Sequence, residues 1–98
     1  MFAANSFVIR HASDADEPAL RRLAELSAQP PVHLPALVGE VAGRTAAAVS
    51  LIDCRVVSDP AEQTGRLAPM LLLRARVIHA LHTSPSLRHR VIAALRTA

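Results

Sequence analysis

The stretch ALVGEVAGRTAAAVSLIDC, residues 36–54, carries the strongest local structural signal in the chain. Two extended runs, 37–41 and 45–54, flank the tripeptide Ala-Gly-Arg, and Gly43 can adopt the positive φ that a tight hairpin turn requires. The longer run is apolar on both faces, which is typical of a central strand that is covered on both sides. The stretch therefore predicts an antiparallel hairpin whose second arm lies inside a sheet. Cys54, at the end of that arm, is expected to be buried as a small hydrophobic residue.

On the N-terminal side of the hairpin, residues 7–12 alternate between apolar and polar positions as a short strand does. A helix follows, for which Ser13 is the predicted N-cap, with Asp16 three residues later near the positive end of the helix dipole. Three prolines between positions 30 and 35 end this helix. Its predicted inward stripe consists of Leu20, Leu23, Ala24 and Ser27, with Leu26 beside them.

On the C-terminal side, the sequence CRVVSDP either continues the hairpin arm or forms one further strand, which Pro60 ends. A leucine-rich helix is predicted over residues 65–82, and Pro85 suits the first turn of another helix over residues 86–97. The order is strand, helix, three strands, helix, helix. This order predicts an α+β fold with a small, mostly antiparallel sheet.

The composition of the chain limits its size and its class. Its 98 residues suffice for one domain, which we expect to span residues 7–98 after a flexible tail of residues 1–6, with residues 7–82 as its core. Apolar residues make up 51% of the chain but aromatic residues only 2%, so a second copy is a good candidate for completing a core of small side chains. The single cysteine excludes an internal disulfide and a cysteine-based zinc cluster. No apolar run reaches about 18 residues and no signal-peptide pattern is present, so we expect a soluble, cytoplasmic chain without a membrane span.

The basic residues are spread along the chain rather than clustered. The net charge is +3, and the chain contains no lysine. The local concentrations are Arg74 with Arg76, and Arg88 with Arg90. We expect these to form solvated helix faces rather than a nucleic-acid footprint, since such a footprint is a clustered stripe and no aromatic platform is available for stacking bases.

The histidines give a weak signal for a metal site or a catalytic base. His79 and His82 lie three residues apart and share a helix face, but no third ligand follows at a suitable spacing. We therefore expect surface or packing histidines and no metal site. His11 at a strand end could serve as a base, but no nucleophile is evident beside it. The sequence assigns no catalytic residue.

Three segments, taken in order, resemble the GNAT superfamily of acetyltransferases. FVIRHASDADEPALRRLAEL, residues 7–26, resembles the opening strand and helix of that superfamily, which often begin with I-R-x-A-x-x-x-D. LVGEVAGRTAAAVSL, residues 37–51, resembles the central hairpin, and SDPAEQTGRLAPMLLLRA, residues 58–75, lies where the superfamily carries its acyl-CoA loop. The resemblance covers residues 7 to about 80 and implies the N-terminal half to two-thirds of the fold.

The resemblance also implies a position for a cofactor site. The superfamily's loop, Q/R-x-x-G-x-G/A, holds the pyrophosphate of acetyl-CoA on backbone N–H groups at a helix start. Gln63 matches the first position of this motif and Ala68 the last, but Arg66 stands where the middle glycine is expected, and an arginine side chain obstructs close approach of the phosphates. The resemblance therefore implies a degenerate acyl-CoA loop at Gln63, Thr64, Gly65, Arg66 and Ala68.

Two functions remain open at this point. The superfamily's later strands have no room in residues 83–98, and its assisting tyrosine has no counterpart because the chain contains no tyrosine. The favoured expectation is a non-catalytic, self-associating interaction module without a cofactor, which pairs with a second copy or with a fuller protein partner through open sheet edges. The alternative is an acyl-CoA-dependent N-acetyltransferase whose site is completed by dimerisation.

Overall fold

The fold is an antiparallel sheet with one helix on each face, and the structure, a computed structural model, describes residues 7–62 and 65–83. The strands are β1 (Phe7–His11), β2 (Ala36–Val41), β3 (Arg44–Ser50) and β4 (Val56–Ser58); the helices are α1 (Glu17–Leu26), which follows a 3-10 turn at Asp14–Asp16, and α2 (Leu67–Thr83). The sheet order is β1-β2-β3-β4. The predicted α+β class with a small antiparallel sheet is confirmed. The predicted tail of residues 1–6 and the predicted helix over residues 86–97 lie outside the described residues.

The β2–β3 hairpin forms where the sequence predicted it. Its turn residues Ala42 and Gly43 both have positive φ, 53° and 79°, which is the arrangement of a type I′ turn, whose twist matches that of the flanking strands. The register shifts between Gly39 and Glu40, so that Ala46 becomes the extra residue of a β-bulge on β3. β3 is buried from residue 46 to residue 50, which confirms a central strand covered on both faces.

The second arm of the hairpin is shorter than predicted. β3 ends at Ser50, because the Ser50 side-chain oxygen accepts the N–H groups of Ile52 at 3.0 Å and Asp53 at 3.2 Å and so turns the chain. Cys54 follows in this turn, half-buried and at a φ of 59°. The prediction of a strand over 45–54 with Cys54 buried at its end is therefore wrong. Residues 56–58 form the separate strand β4.

The start of α1 combines the predicted cap with a proline. The Asp16 carboxylate accepts the Ser13 N–H at 2.8 Å. Pro18 lies in the first turn, where backbone N–H groups have no partner within the helix, so the missing N–H of proline costs no helical hydrogen bond. Leu26, which was predicted to lie beside the inward stripe, is 45% exposed, because its helical position on the flank of the stripe faces away from the sheet. The buried positions of the stripe are Leu20, Leu23 and Ala24.

Each helix covers one face of the sheet. Side chains on a strand alternate between faces, so the central strands supply small apolar residues to both cores. The core beneath α1 comprises Leu20, Leu23, Val32, Ala36, Val38, Ala48 and Val57. The core beneath α2 comprises Leu37, Ala46, Ala47, Val49, Leu67, Leu71 and Ala75.

Candidate functional site

The predicted cofactor residues lie at the junction between β4 and α2. Gly65 and Arg66 are exposed in the turn that precedes the helix, and Ala68 lies in the first helical turn. A methyl group at Gly65 would meet no atom within 4 Å. Gln63 and Thr64 lie outside the described residues. The described part of the motif is thus gathered at one helix start, with Arg66 exposed where the superfamily has glycine.

Two ion pairs anchor the chain where it leaves β4. The Asp59 carboxylate accepts the Ala61 N–H at 2.8 Å and a hydrogen bond from Arg22 of α1 at 3.1 Å. Glu62 pairs with Arg44 of β3 at 2.8 Å. Both acidic side chains of this segment are therefore neutralised by arginines from neighbouring elements, and their role in the structure is to hold the segment against the sheet.

The outer edge of β4 is covered by the C-terminal end of α1. The Ser27 hydroxyl donates to the Ser58 carbonyl oxygen at 2.7 Å and accepts the Ser58 N–H at 2.9 Å. The Gln29 side-chain amide donates to the Val56 carbonyl oxygen at 3.2 Å. These bonds occupy the backbone groups that an additional strand would use. The expectation of open sheet edges is therefore wrong for β4, because the end of α1 lies against it.

The outer edge of β1 is unoccupied within the described part of the chain. The Ala12 N–H donates to the Ala36 carbonyl oxygen at 2.8 Å, and hydrogen-bonded residues alternate along an antiparallel pair. Val8 therefore bonds to β2, whereas Phe7 and Ile9 present their backbone N–H and C=O groups outward. No hydrogen bond from residues 7–62 or 65–83 reaches these outward groups. Among the described residues the two edges of the sheet thus differ: side chains of the α1 end cover β4, and nothing covers β1.

Arg10 joins β1, β2 and the 3-10 turn in one ion-pair network. Its Nη1 and Nη2 donate to the two Asp16 carboxylate oxygens at 2.8 and 2.7 Å, and its Nε donates to Glu40 at 3.0 Å. The bonds from Arg10 and from the Ser13 N–H hold the pKa of Asp16 well below its ordinary value. The bonds to Asp16 and Glu40 raise the pKa of Arg10. Both ends of the network therefore stay charged at neutral pH, and the network positions the start of α1 on the sheet.

His11, His79 and His82 line one cavity of about 420 Å³ between the end of β1 and the last turns of α2. The sequence did not predict that His11 lies near His79 and His82. These residues are far apart along the chain, and only the packing of α2 on the sheet brings them together. Within residues 7–62 and 65–83, no group of three or more His, Cys, Asp or Glu side chains is arranged to hold a metal ion. The other residues that line this cavity are Pro35, Leu51 and Ile78.

The polar residues after β3 support the turn in which they lie. The Asp53 carboxylate accepts the Arg55 N–H at 3.1 Å, and this bond, followed by the Ser50 hydroxyl, lowers the pKa of Asp53. The Arg55 guanidinium donates to the carbonyl oxygens of Pro30 and Pro31 at 2.6 and 3.0 Å. These side chains hold the β3–β4 turn against the proline-rich segment that enters β2. The contacts do not gather them into a nucleophile-and-base arrangement.

The outer surface of α2 is apolar and basic. Met70, Leu73 and Val77 are 38%, 58% and 51% exposed, although the opposite side of the same helix is buried on the sheet. Arg74 and Arg76 are also exposed, and no ion pair among the described residues involves them. Arg88 and Arg90, the other predicted basic concentration, lie outside the described residues.

In comparisons with known proteins, no protein-family model, no curated protein and no solved structure matches the chain. In residues 7–62 and 65–83, neither helix has the length and apolar character needed to cross a bilayer.

Proposed function

We propose that this chain is a non-catalytic interaction module that associates with a second copy of itself through the outer edge of β1. The observation that carries the proposal is the contrast between the two edges of the sheet. Ser27 and Gln29 occupy the backbone groups of β4, while nothing in the described residues occupies those of β1. Proteins usually blunt an edge strand that is not meant to pair.

The residues of β1 suit pairing rather than solvation. Val8 is 57% exposed, and Phe7 and Ile9 are only partly buried against the core beneath α2. Three consecutive large apolar residues on an edge strand favour strand addition, because a second strand covers side chains and satisfies backbone groups together. Residues 7–9 include no acidic or basic side chain that would discourage pairing at these positions.

Two antiparallel copies of β1 are self-complementary around a two-fold axis. Phe7 and Ile9 present the outward backbone groups, so Phe7 of one copy pairs with Ile9 of the other in both directions. Val8 then lies opposite Val8 of the second copy as the non-hydrogen-bonded pair, in which side chains approach most closely. The product is one continuous sheet of eight strands. On each side of the two-fold axis, the aromatic Phe7 of one copy lies opposite the β-branched Ile9 of the other.

The non-catalytic part of the proposal is supported by the structural roles of the polar side chains. Asp59, Glu62, Asp53 and Ser50 each take part in a hydrogen bond or ion pair that supports a turn. Arg66 stands where the resemblance implies the phosphate-admitting glycine. The cavity at His11 and a smaller cavity at Ser13 are lined by other residues than 65–68.

Sedimentation velocity over a micromolar concentration series tests the association. Interference optics are required, since the chain contains neither Trp nor Tyr. We expect a reversible dimer that Val8→Lys weakens at least about tenfold, because two lysines would face each other across the axis. Ile52→Lys is the matched control, since Ile52 is a similarly exposed apolar residue, at 62%, in the β3–β4 turn.

The outcomes distinguish the β1 edge from the outer surface of α2 as the contact between copies. A well-folded wild-type monomer throughout the series contradicts the proposal. Dissociation by Leu73→Lys but not by Val8→Lys would place the contact on the outer surface of α2 and exclude the β1 edge.

A second candidate function is an acyl-CoA-dependent acyltransferase completed by the second copy. The open space at Gly65 and the exposed Arg66 favour it, because both lie at a helix start where phosphate groups bind. It predicts that calorimetry with acetyl-CoA detects binding, and that Arg66→Ala weakens this binding. The non-catalytic module predicts neither heat nor a thermal shift with millimolar acetyl-CoA.

A further inference from the structure

We propose that the cavity between the end of β1 and the last turns of α2 binds a short aliphatic carboxylate. The carboxylate lies at His11 and His82, and the hydrocarbon chain lies against Pro35, Leu51 and Ile78. The volume, about 420 Å³, is that of a small-molecule site.

The residues that line the cavity select an anionic, amphipathic ligand. Its described wall contains histidines and apolar residues but no acidic side chain. An imidazole offers an N–H donor when neutral and two donors and a positive charge when protonated. A carboxylate accepts both kinds of hydrogen bond, while the apolar part of the wall favours the aliphatic chain. In this proposal the carboxylate bonds directly to the imidazoles.

Two elements of the fold contribute the polar contacts. His11 is the last residue of β1 and His82 lies in the last turn of α2. His79 already makes an interaction of its own, so the carboxylate is assigned to His11 and His82. A bound carboxylate therefore links the end of the edge strand to the end of the helix and stabilises their packing.

This site is independent of the proposed dimer. The seam between two copies uses residues 7–9, and His11 lies beyond the last paired residue. Loss of association by Val8→Lys leaves the cavity wall intact, so the two proposals succeed or fail separately.

Calorimetry of the full chain with octanoate and with 1-octanol tests the assignment. We expect octanoate to bind more tightly than 1-octanol, because a carboxylate accepts stronger hydrogen bonds from imidazole N–H groups than an uncharged hydroxyl does. Each methylene added between butanoate and octanoate should tighten binding about fourfold while it remains buried.

The double variant His11→Ala/His82→Ala should bind octanoate at least about tenfold more weakly, since two hydrogen bonds to a charged group are lost. His33→Ala is the matched control, because His33 lines the smaller cavity of about 220 Å³ beside Ser13. Far-UV circular dichroism checks the fold of each variant, and His82→Gln, which keeps a donor without the charge, replaces the double variant if that variant unfolds. The proposal is overturned if the wild-type chain does not bind octanoate, or if the histidine variants bind it as tightly as the His33→Ala control.

Discussion

Leu67, the first residue of α2, lies directly over Gly39 of β2. A methyl group at position 39 would lie 2.5 Å from Leu67 Cδ1 and 2.9 Å from its Cγ, closer than carbon atoms pack. Leu67 is 1% exposed, so the surrounding core prevents its side chain from moving away without a wider shift. The missing side chain at Gly39 therefore sets the distance between the start of α2 and the sheet.

Gly39→Ala should lower the free energy of unfolding by about 1–3 kcal/mol, because the added methyl group overpacks this contact. Urea denaturation followed by far-UV circular dichroism measures the change. Gly65→Ala is the control, since a methyl group there meets no atom within 4 Å. Adding Leu67→Ala to Gly39→Ala should give a smaller loss than the sum of the two single losses. Equal stability of Gly39→Ala and Gly65→Ala would contradict the close approach.

Asp16→Asn should lower the free energy of unfolding at neutral pH by about 1–3 kcal/mol, because Arg10 loses its charged partner. The loss stays in this range since the Arg10 side chain is 40% exposed and water replaces part of the interaction. The pKa of Asp16 is lower in the folded than in the unfolded chain. Its stabilising effect is therefore present above about pH 4 and is lost as the pH falls further towards the folded-state pKa.

The pH dependence distinguishes Asp16 from a neighbouring acid. The stabilities of the wild type and Asp16→Asn should converge as the pH is lowered below about 4, in denaturation curves measured at each pH. Asp14→Asn, in the same 3-10 turn but exposed, should show little difference from the wild type at neutral pH. If the wild type and Asp16→Asn kept a constant difference at every pH, the charge of Asp16 would not be the cause.

Ser27→Ala should reduce stability by about 1 kcal/mol, because both bonds between Ser27 and Ser58 are lost at the edge of β4. The amide hydrogen of Ser58 should exchange faster in this variant, as measured by NMR. Ser58→Ala is the control, since Ser58 contributes only its backbone to these bonds. An unchanged exchange rate at position 58 in Ser27→Ala would show that α1 does not seal this edge.

Val8→Cys in a Cys54→Ala background should form a disulfide-linked dimer under mild oxidation. In the proposed pairing, Val8 of each copy lies in a non-hydrogen-bonded pair with a Cα separation of about 4.5 Å, which is within the range that a disulfide spans. Non-reducing electrophoresis over time measures the product. Ile52→Cys in the same background is the control for random collision, and similar cross-linking rates for the two variants would argue against the β1 seam.

Local chemistry explains which elements were predictable. The type I′ turn at Ala42 and Gly43 follows from two small residues between extended runs, and the buried stripe of α1 follows from helical spacing. The end of β3 was missed because Leu51 and Ile52 continue an apolar run, while the Ser50 hydroxyl captures two backbone N–H groups and turns the chain. A serine within an apolar run permits either outcome, and the sequence pattern alone does not decide between them.

The candidate site was predictable only in part. Gly65 and Arg66 were predicted to lie at a helix start, and the structure has them there; that they form a degenerate acyl-CoA loop stays a prediction. The His11–His82 cavity was not predicted, because no local spacing relates a residue of β1 to one in the last turn of α2.

By itself, the sequence determined the class of the fold, the order of its elements and the alanine-rich character of its core, because these depend on periodicity, turn residues and side-chain size. Only the tertiary structure decided that the end of α1 covers β4 while no residue of 7–62 or 65–83 covers the edge of β1, and that distant histidines share one cavity. These features depend on where a helix ends relative to a sheet edge. That position results from the packing of whole elements, such as Leu67 on Gly39, rather than from any short stretch of residues.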